Sequence, residues 1–263
     1  MTRLVVVGGG RMGNALVGGL LRSGWVEPGD ITIAEQLEGA RDDLAGRFPG
    51  VVITSAPVVA DSAVIAVKPS DAESAVREVA KLRVPRVLSI MAGVKVAKLE
   101  SWLPAGTAVL RAMPNLPAVL GSAASALAGG DSVTESDFAW AEAVLSSFGV
   151  VARVSENALD AVTGLSGSGP AYLFLLAEAM IEAGVAQGLD RGVSRLLVTN
   201  TVLGSARLLA ETGDTPEVLR AAITSPGGTT AAGLGVLERR AFRSAVIDAV
   251  AAAAARSREL GDD

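Results

Sequence analysis

Short apolar runs recur through the first part of the chain at 4–7, 31–34, 51–54, 63–67, 86–90, 109–112, 124–128 and 150–153. Between them, apolar positions return every three or four residues. The short runs fit strands buried on both faces, and the intervening pattern fits amphipathic helices. Their alternation predicts an α/β domain over residues 1–153, with a doubly wound, mostly parallel sheet and right-handed crossovers. Ser70 and Glu73 have capping-box spacing just past the 63–67 run, which predicts a helix capped by Ser70; Thr134 precedes another amphipathic stretch. Beyond Arg153 the strand runs stop. Helical patterns at 157–164, 169–187, 191–210, 216–223, 229–239 and 241–260 predict a second, all-α domain over residues 154–263. In it, Leu196, Leu197, Val198, Val202, Leu203, Leu208 and Leu209 spread around most of one helix, which therefore needs cover on several sides. A second copy of the chain is the natural cover, so a homodimer through the helical domain is expected, with larger oligomers left open.

Composition narrows the chemistry. The chain of 263 residues has no His, no Cys and a single Tyr, and aromatics make up 3% of it. The usual general acids and nucleophiles are scarce, a metal site is not expected, and any redox step must use a borrowed cofactor. A formal net charge of -5 argues against nucleic acid as a partner and leaves a small-molecule substrate. The most apolar helical run, 170–186, contains Glu178 and Glu182, so no membrane association is expected. The N-terminal run reads as a strand and not as a signal peptide, and a cytoplasmic location is expected.

The cofactor motif follows the first strand run. Gly8, Gly9, Gly10, Arg11, Met12 and Gly13 give G-x-G-x-x-G between a strand and an apolar helical pattern, the context of a Rossmann dinucleotide-binding turn. Gly8 permits the tight turn, Gly10 the approach of a pyrophosphate, and Gly13 close helix–strand packing, with the helix N-terminus facing the phosphates. Glu35 ends the next strand run, where an acid would bond a ribose 2′-hydroxyl and repel a 2′-phosphate. That leans the cofactor towards NADH and leaves NADPH open; a solvated charge at a strand end is the alternative. Two further strand ends, Ala66, Val67, Lys68 and Pro69, then Met91, Ala92 and Gly93, should wall the nicotinamide half. Lys68 could pair with phosphate or be an exposed loop lysine.

A turn rich in hydroxyls, Thr224, Ser225, Pro226, Gly227, Gly228, Thr229 and Thr230, precedes a helical pattern near the C-terminal end. Together with the glycine turn, the 66–69 strand end, Arg111-Ala112-Met113-Pro114-Asn115 and Asp160-Ala161-Val162-Thr163-Gly164-Leu165-Ser166-Gly167-Ser168-Gly169-Pro170-Ala171-Tyr172, it makes the chain resemble the pyrroline-5-carboxylate reductases over essentially its full length. The resemblance implies a Rossmann domain followed by an all-α dimerisation domain. It implies NAD(P)H-dependent reduction of 1-pyrroline-5-carboxylate to L-proline, the last step of proline biosynthesis, by hydride transfer to the imine carbon. It assigns Gly8 to Met12, Ala66 to Pro69, Met91 to Gly93 and Ser225 to the cofactor, and Glu156, Thr163, Thr229 and Thr230 to the substrate. The chain departs from the family pattern at Ala222, where many members carry a polar residue, and in a shorter 54–59 region.

A cyclic imine suits a site without His, because a protonated iminium already carries the proton that a ketone must receive. The site then supplies orientation, a seat for the carboxylate and a partner for the ring nitrogen. Backbone N–H groups of Gly227 and Gly228 at a helix start fit the carboxylate. Thr230 is assigned to the ring nitrogen as the catalytic hydroxyl, against the alternative that one of the two threonines is a helix cap. Ser166 and Ser168 could equally form a turn into the helix entered by Pro170, and Glu156 could be an ordinary first-turn acid. A lysine acid in the helical half is not available, since the lysines are Lys68, Lys81, Lys95 and Lys98. A reductase of other cyclic imines and an inactive dinucleotide-binding module remain as rivals.

Overall fold

A computed structural model describes residues 2–262. It contains a sheet of eight strands: β1 (Thr2–Val7), β2 (Ile31–Ala34), β3 (Val52–Thr54), β4 (Ala60–Ile65), β5 (Arg86–Ser89), β6 (Ala108–Met113), β7 (Ala123–Gly129) and β8 (Gly149–Arg153). Their spatial order is β3-β2-β1-β4-β5-β6-β7-β8. Every neighbouring pair is parallel except β6 with β7, which is antiparallel. The chain reverses its winding direction between β1 and β4, so the crevice for a ligand opens at the carboxyl ends of those two strands.

The alternation of β1 shows why both sheet faces are covered. Leu4 and Val6 point into a core with Leu16, Leu20, Ile31, Leu145 and Phe148, whereas Val5 and Val7 point into one with Ile65, Val76, Val79, Val87 and Leu99. Val5, Val6 and Leu4 are wholly buried, each contributing about 1.5–3 kcal/mol by removal from water. The covering helices are α1 (Arg11–Arg22), α2 (Glu38–Arg47), α3 (Ala72–Lys81), α4 (Val96–Trp102) and α5 (Glu135–Ser146). Thr134 caps α5 through a complete capping box with Asp137, as its position predicts. Ser70 does not cap α3. Pro69 opens a 3-10 turn, Pro69–Asp71, and α3 starts only at Ala72 with no side-chain cap; the Ser70 hydroxyl turns to Asp71 Oδ1 at 3.3 Å. The fixed φ of proline at the turn's first position moves the helix start one residue on, from Asp71 to Ala72.

After β8 the chain is helical. A 3-10 turn (Glu156–Ala158) leads into the short α6 (Leu159–Val162), then a π turn (Thr163–Gly167) closed by Ser168 N–H on the Thr163 carbonyl at 2.8 Å. The long helices follow: α7 (Gly169–Ala186), α8 (Arg191–Glu211), α9 (Pro216–Ala222), α10 (Thr229–Arg239) and α11 (Phe242–Asp262). The chain divides into two compact units, one running to Ser168 and including the residues from Ala251 onward, the other Gly169–Val250. The compact units thus part past the π turn, and the end of α11 groups with the sheet.

In the second unit α7 and α8 form a hairpin. Asp190 caps α8, accepting from Gly192 N–H at 2.7 Å and Val193 N–H at 3.2 Å, and Gly188 turns the chain at φ +93°. No residue of α7 is buried, and α8 buries only Ser194 and Val198. Leu173, Phe174, Leu175, Leu196 and Leu197 are all more than half exposed. The helical run Glu156–Ala186 is also long and apolar enough, by length and composition, to cross a membrane.

Candidate active site

The glycine turn sits at the carboxyl end of β1. Gly8 adopts φ +103°, and a β-carbon there would lie 2.7 Å from the Ala66 carbonyl oxygen at the end of β4. A β-carbon at Gly13 would be driven into the Gly8 carbonyl. These two glycines therefore let α1, β1 and the loop after β4 converge. Gly10 differs: no described atom lies within 4 Å of where its β-carbon would stand. Gly10 is also the N-cap of α1 and offers no side chain to the first-turn N–H groups. Open space above a glycine, beside an uncapped helix N-terminus, fits a pyrophosphate. The residues present thus suit a dinucleotide.

Side chains around the turn hold its shape. Glu35 accepts Gly9 N–H at 2.9 Å through Oε2 and Leu37 N–H at 3.0 Å through Oε1. It is a half-buried acid in direct contact with the glycine loop, more than a solvated charge at a strand end. Asn14 donates to the carbonyls of Gly9 at 2.7 Å and Gly10 at 3.1 Å. Arg41, on α2, donates to the carbonyls of Glu35 at 3.0 Å and Gln36 at 2.6 Å. Sequence reasoning missed Asn14 and Arg41. The signal for Asn14 was a polar residue one helical turn after Gly10, on the face towards the loop.

The loops after β4 and β5 complete this rim. Lys68 is exposed, with no partner among the described residues, and Ala66 N–H continues the ladder onto the Val7 carbonyl at 2.8 Å. Met91 is buried and Gly93 sits at φ +75°. A groove of about 540 Å³ opens at Gly9, Gly10 and Arg11 and runs along α1 past Asn14 to Arg22 and Arg47. A second hollow, lined by Lys81, Arg83, Pro104 and Thr107, lies at the amino ends of β5 and β6, the wrong end of the sheet for a strand-end ligand.

Glu156 and Thr163 also lie in the first unit, and both use their polar atoms on the chain itself. Glu156 Oε1 accepts Val96 N–H at 2.6 Å and pairs with Arg111 Nη1 at 3.2 Å. Arg111 is 5% exposed, so this carboxylate neutralises a buried cation. Thr163 donates its hydroxyl to the Leu159 carbonyl at 2.8 Å, and Ser166 donates to Val162 at 3.3 Å. Asn115 accepts Ala124 N–H at 2.9 Å and donates to the Ser166 carbonyl at 3.0 Å. Pro170, four residues after Ser166, has no N–H to offer that carbonyl, and Asn115 replaces it.

The hydroxyl-rich turn lies in the second unit. Gly228 is the N-cap of α10, and Thr229 and Thr230 occupy its first two positions. Neither threonine caps the helix, and neither hydroxyl has a partner among the described residues. Thr224 donates to the Arg220 carbonyl at 2.6 Å. Gly228 N–H is taken by the Ser225 carbonyl at 3.0 Å, so the free N–H groups at this helix start are those of Gly227, Thr229, Thr230 and Ala231. The Ser225 hydroxyl lies 2.5 Å from where a β-carbon at Gly228 would stand, so a side chain there would turn that hydroxyl away. Among the described residues there is no cluster of three or more His, Cys, Asp or Glu that could hold a metal.

Comparison with known proteins matches residues 156–260 to the family described as pyrroline-5-carboxylate reductase dimerisation, and residues 3–93 to NADP oxidoreductase, coenzyme F420-dependent. The pyrroline-5-carboxylate reductase of Mycobacterium tuberculosis is 42% identical over 288 residues, covering 99% of this chain and 97% of that one. Among solved structures, a pyrroline-5-carboxylate reductase from Coxiella burnetii superposes with a TM-score of 0.92 at 34% identity, covering 98% of both chains. The pyrroline carboxylate reductase of Plasmodium falciparum, solved with NADP bound, gives 0.86 at 29% identity and covers 99% of this chain and 98% of that one. With its sheet order, its glycine turn and relatives matched end to end, this chain belongs to the pyrroline-5-carboxylate reductase family.

Proposed function

We propose the following division of labour for the reaction of this family, the NAD(P)H-dependent reduction of 1-pyrroline-5-carboxylate to L-proline. Bound NAD(P)H supplies the hydride. Gly8, Gly9, Gly10, Arg11, Met12 and Gly13 hold the pyrophosphate, with Glu35 at the adenosine ribose. Ala66, Val67, Lys68, Pro69, Met91, Ala92 and Gly93 line the nicotinamide half, and Ser225 is assigned to the cofactor. Each Glu35 oxygen accepts one backbone N–H and keeps a lone pair for a ribose hydroxyl, and the negative charge opposes a 2′-phosphate, so NADH is the preferred cofactor.

The substrate carboxylate is received by the free N–H groups of Gly227, Thr229 and Thr230, with Gly228 shaping the turn. Thr230 accepts from the iminium N–H and donates to the product amine; no other proton donor is required. The observation that carries this reading is the unpartnered Thr230 hydroxyl beside uncommitted helix N–H groups, where a capping role is already excluded. Glu156 and Thr163 shape the substrate pocket through the backbone they hold. The domain 154–263 provides the dimer interface: the exposed apolar faces of α7 and α8 seat a second copy, and the same reading keeps the 156–186 run out of a membrane, since Glu178 and Glu182 lie exposed on it. The cytoplasm, which maintains reduced pyridine nucleotide, is the working compartment.

NADH oxidation followed with pyrroline-5-carboxylate tests the reaction, and its absence overturns the assignment. Thr230→Ala tests the mechanism. A charge-assisted hydrogen bond lost at the reacting nitrogen lowers kcat about 10- to 100-fold. The Tm stays within about 1 °C, because an N2 threonine hydroxyl without a partner contributes little to stability. A melting loss with kcat intact would assign Thr230 to structure.

A further inference from the structure

The loop after β5 is held from two directions by distant parts of the chain. On one side the Glu156 carboxylate accepts Val96 N–H at 2.6 Å, at the loop's exit into α4. On the other, the last turn of α11 lies against it backbone to backbone. The Leu260 carbonyl oxygen is 3.4 Å from where a β-carbon at Gly93 would stand, and a β-carbon at Gly261 would meet the Gly93 carbonyl oxygen at 2.9 Å. Gly93, at φ +75°, holds a conformation that other residues adopt only with strain. One turn earlier α11 is fastened: Ser257, 5% exposed, donates its hydroxyl to Asp160 Oδ1 of α6 at 2.6 Å. Glu156 and Asp160 stand one helical turn apart in the same segment, so they and the end of α11 form one frame around residues 91–96.

We infer that the last two turns of α11 are a positioning brace for the cofactor loop. Ser257 fixes the helix to α6, and Gly261 lets its end lie flat on Gly93. Neither residue reaches substrate or cofactor; both act by keeping Met91, Ala92 and Gly93 in one conformation before a dinucleotide arrives. A loop ordered in advance loses less entropy on binding, so the brace raises cofactor affinity and leaves the chemical step alone. The inference rests on the reading of residues 91–93 as a wall of the cofactor site.

The test uses the full chain with Ser257→Ala, Gly261→Val and Asp160→Asn, the last keeping an acceptor oxygen for Ser257. Amide exchange of residues 90–96 is measured without cofactor, and NADH affinity by fluorescence titration without substrate. Ser257→Ala is expected to speed exchange across 90–96 and raise the NADH Kd about tenfold, the effect of losing one charge-assisted hydrogen bond. Gly261→Val should act in the same direction, kcat at saturating NADH should stay within about twofold, and Asp160→Asn, which keeps a neutral hydrogen bond, should fall between the native protein and Ser257→Ala. Unchanged exchange in both Ser257→Ala and Gly261→Val would overturn the brace, as would faster exchange with an unchanged Kd. The underlying reading is checked on the native chain: if NADH does not protect residues 90–96 there, these residues are no cofactor wall and the inference fails with that reading.

Discussion

Replacing Glu156 by alanine removes the acceptor of Val96 N–H and the counter-charge of Arg111 in one step. Stripping a partner from a buried ion pair costs about 3–5 kcal/mol. The Glu156 side chain is 30% exposed, so water reaches the vacated space and the cost falls to the lower part of that range. The Val96 N–H, at a helix start, can take water in exchange and adds less than about 1 kcal/mol. A total near 3 kcal/mol lowers the Tm by roughly 6–12 °C for a chain of this size. Glu156→Gln keeps an oxygen for Val96 and a neutral acceptor for Arg111, and should lose about a third of that. Thermal melts at one fixed protein concentration, which holds assembly constant, measure both variants. Arg111→Met with Glu156→Gln, replacing the whole pair, should recover part of the loss. A Glu156→Ala protein that melts within about 2 °C of native while its KM for pyrroline-5-carboxylate rises more than tenfold would refute the ion-pair argument and give Glu156 to the substrate directly.

Three further outcomes follow from other parts of the molecule. Glu35→Ser removes the charge that opposes a 2′-phosphate, and the ratio of kcat/KM for NADH over NADPH should fall about tenfold or more; a native enzyme that already prefers NADPH would sink the role given to Glu35. Leu197→Glu places a charge on an exposed apolar helix face, 53% exposed in a single chain, and should shift the mass seen by light scattering from dimer to monomer, or leave the protein insoluble; an unchanged dimer would move the interface elsewhere. The third concerns acid. Burial opposes ionisation of Asp137, but hydrogen bonds from the Thr134 hydroxyl and N–H and the nearby Arg86 outweigh it and hold its pKa below the ordinary value. A carboxylate depressed in the folded state stabilises above its unfolded pKa and stops doing so as pH falls through the folded one, so stability should drop below about pH 4. Thr134→Ala should cost about 1 kcal/mol at neutral pH and flatten that acid slope; an unaltered slope in urea titrations would count against the assignment.

The sheet and its glycine turn were legible because their causes are local and periodic. Val5, Val6 and Val7 cannot be anything but buried in that context, and Gly8 and Gly13 mark places where backbone meets backbone. The reversal by which β7 and β8 run against the other strands could not be read, since direction leaves no trace in a run of Ala, Leu and Ser. Ser70 had the spacing of a cap and lost the position to the turn that Pro69 imposes. The cap reading of Thr229 and Thr230 also failed, because Gly228 takes that place. Arg41 and the Ser257–Asp160 pair were illegible for another reason: one bonds backbone carbonyls and the other a residue far along the chain, and neither kind of partner leaves a spacing to read, whereas Asn14 left one, a helical turn past Gly10.

The long helix α7 buries none of its own residues. Its consequence concerns synthesis more than catalysis. With the hairpin as the proposed dimer seat, a newly made chain holds that apolar surface in water until a second copy arrives, so the encounter of two chains competes with aggregation for the same surface. Substitutions on that hairpin should therefore reveal themselves in how much protein is recovered and how recovery depends on expression level, well before any change in turnover by the molecules that do assemble.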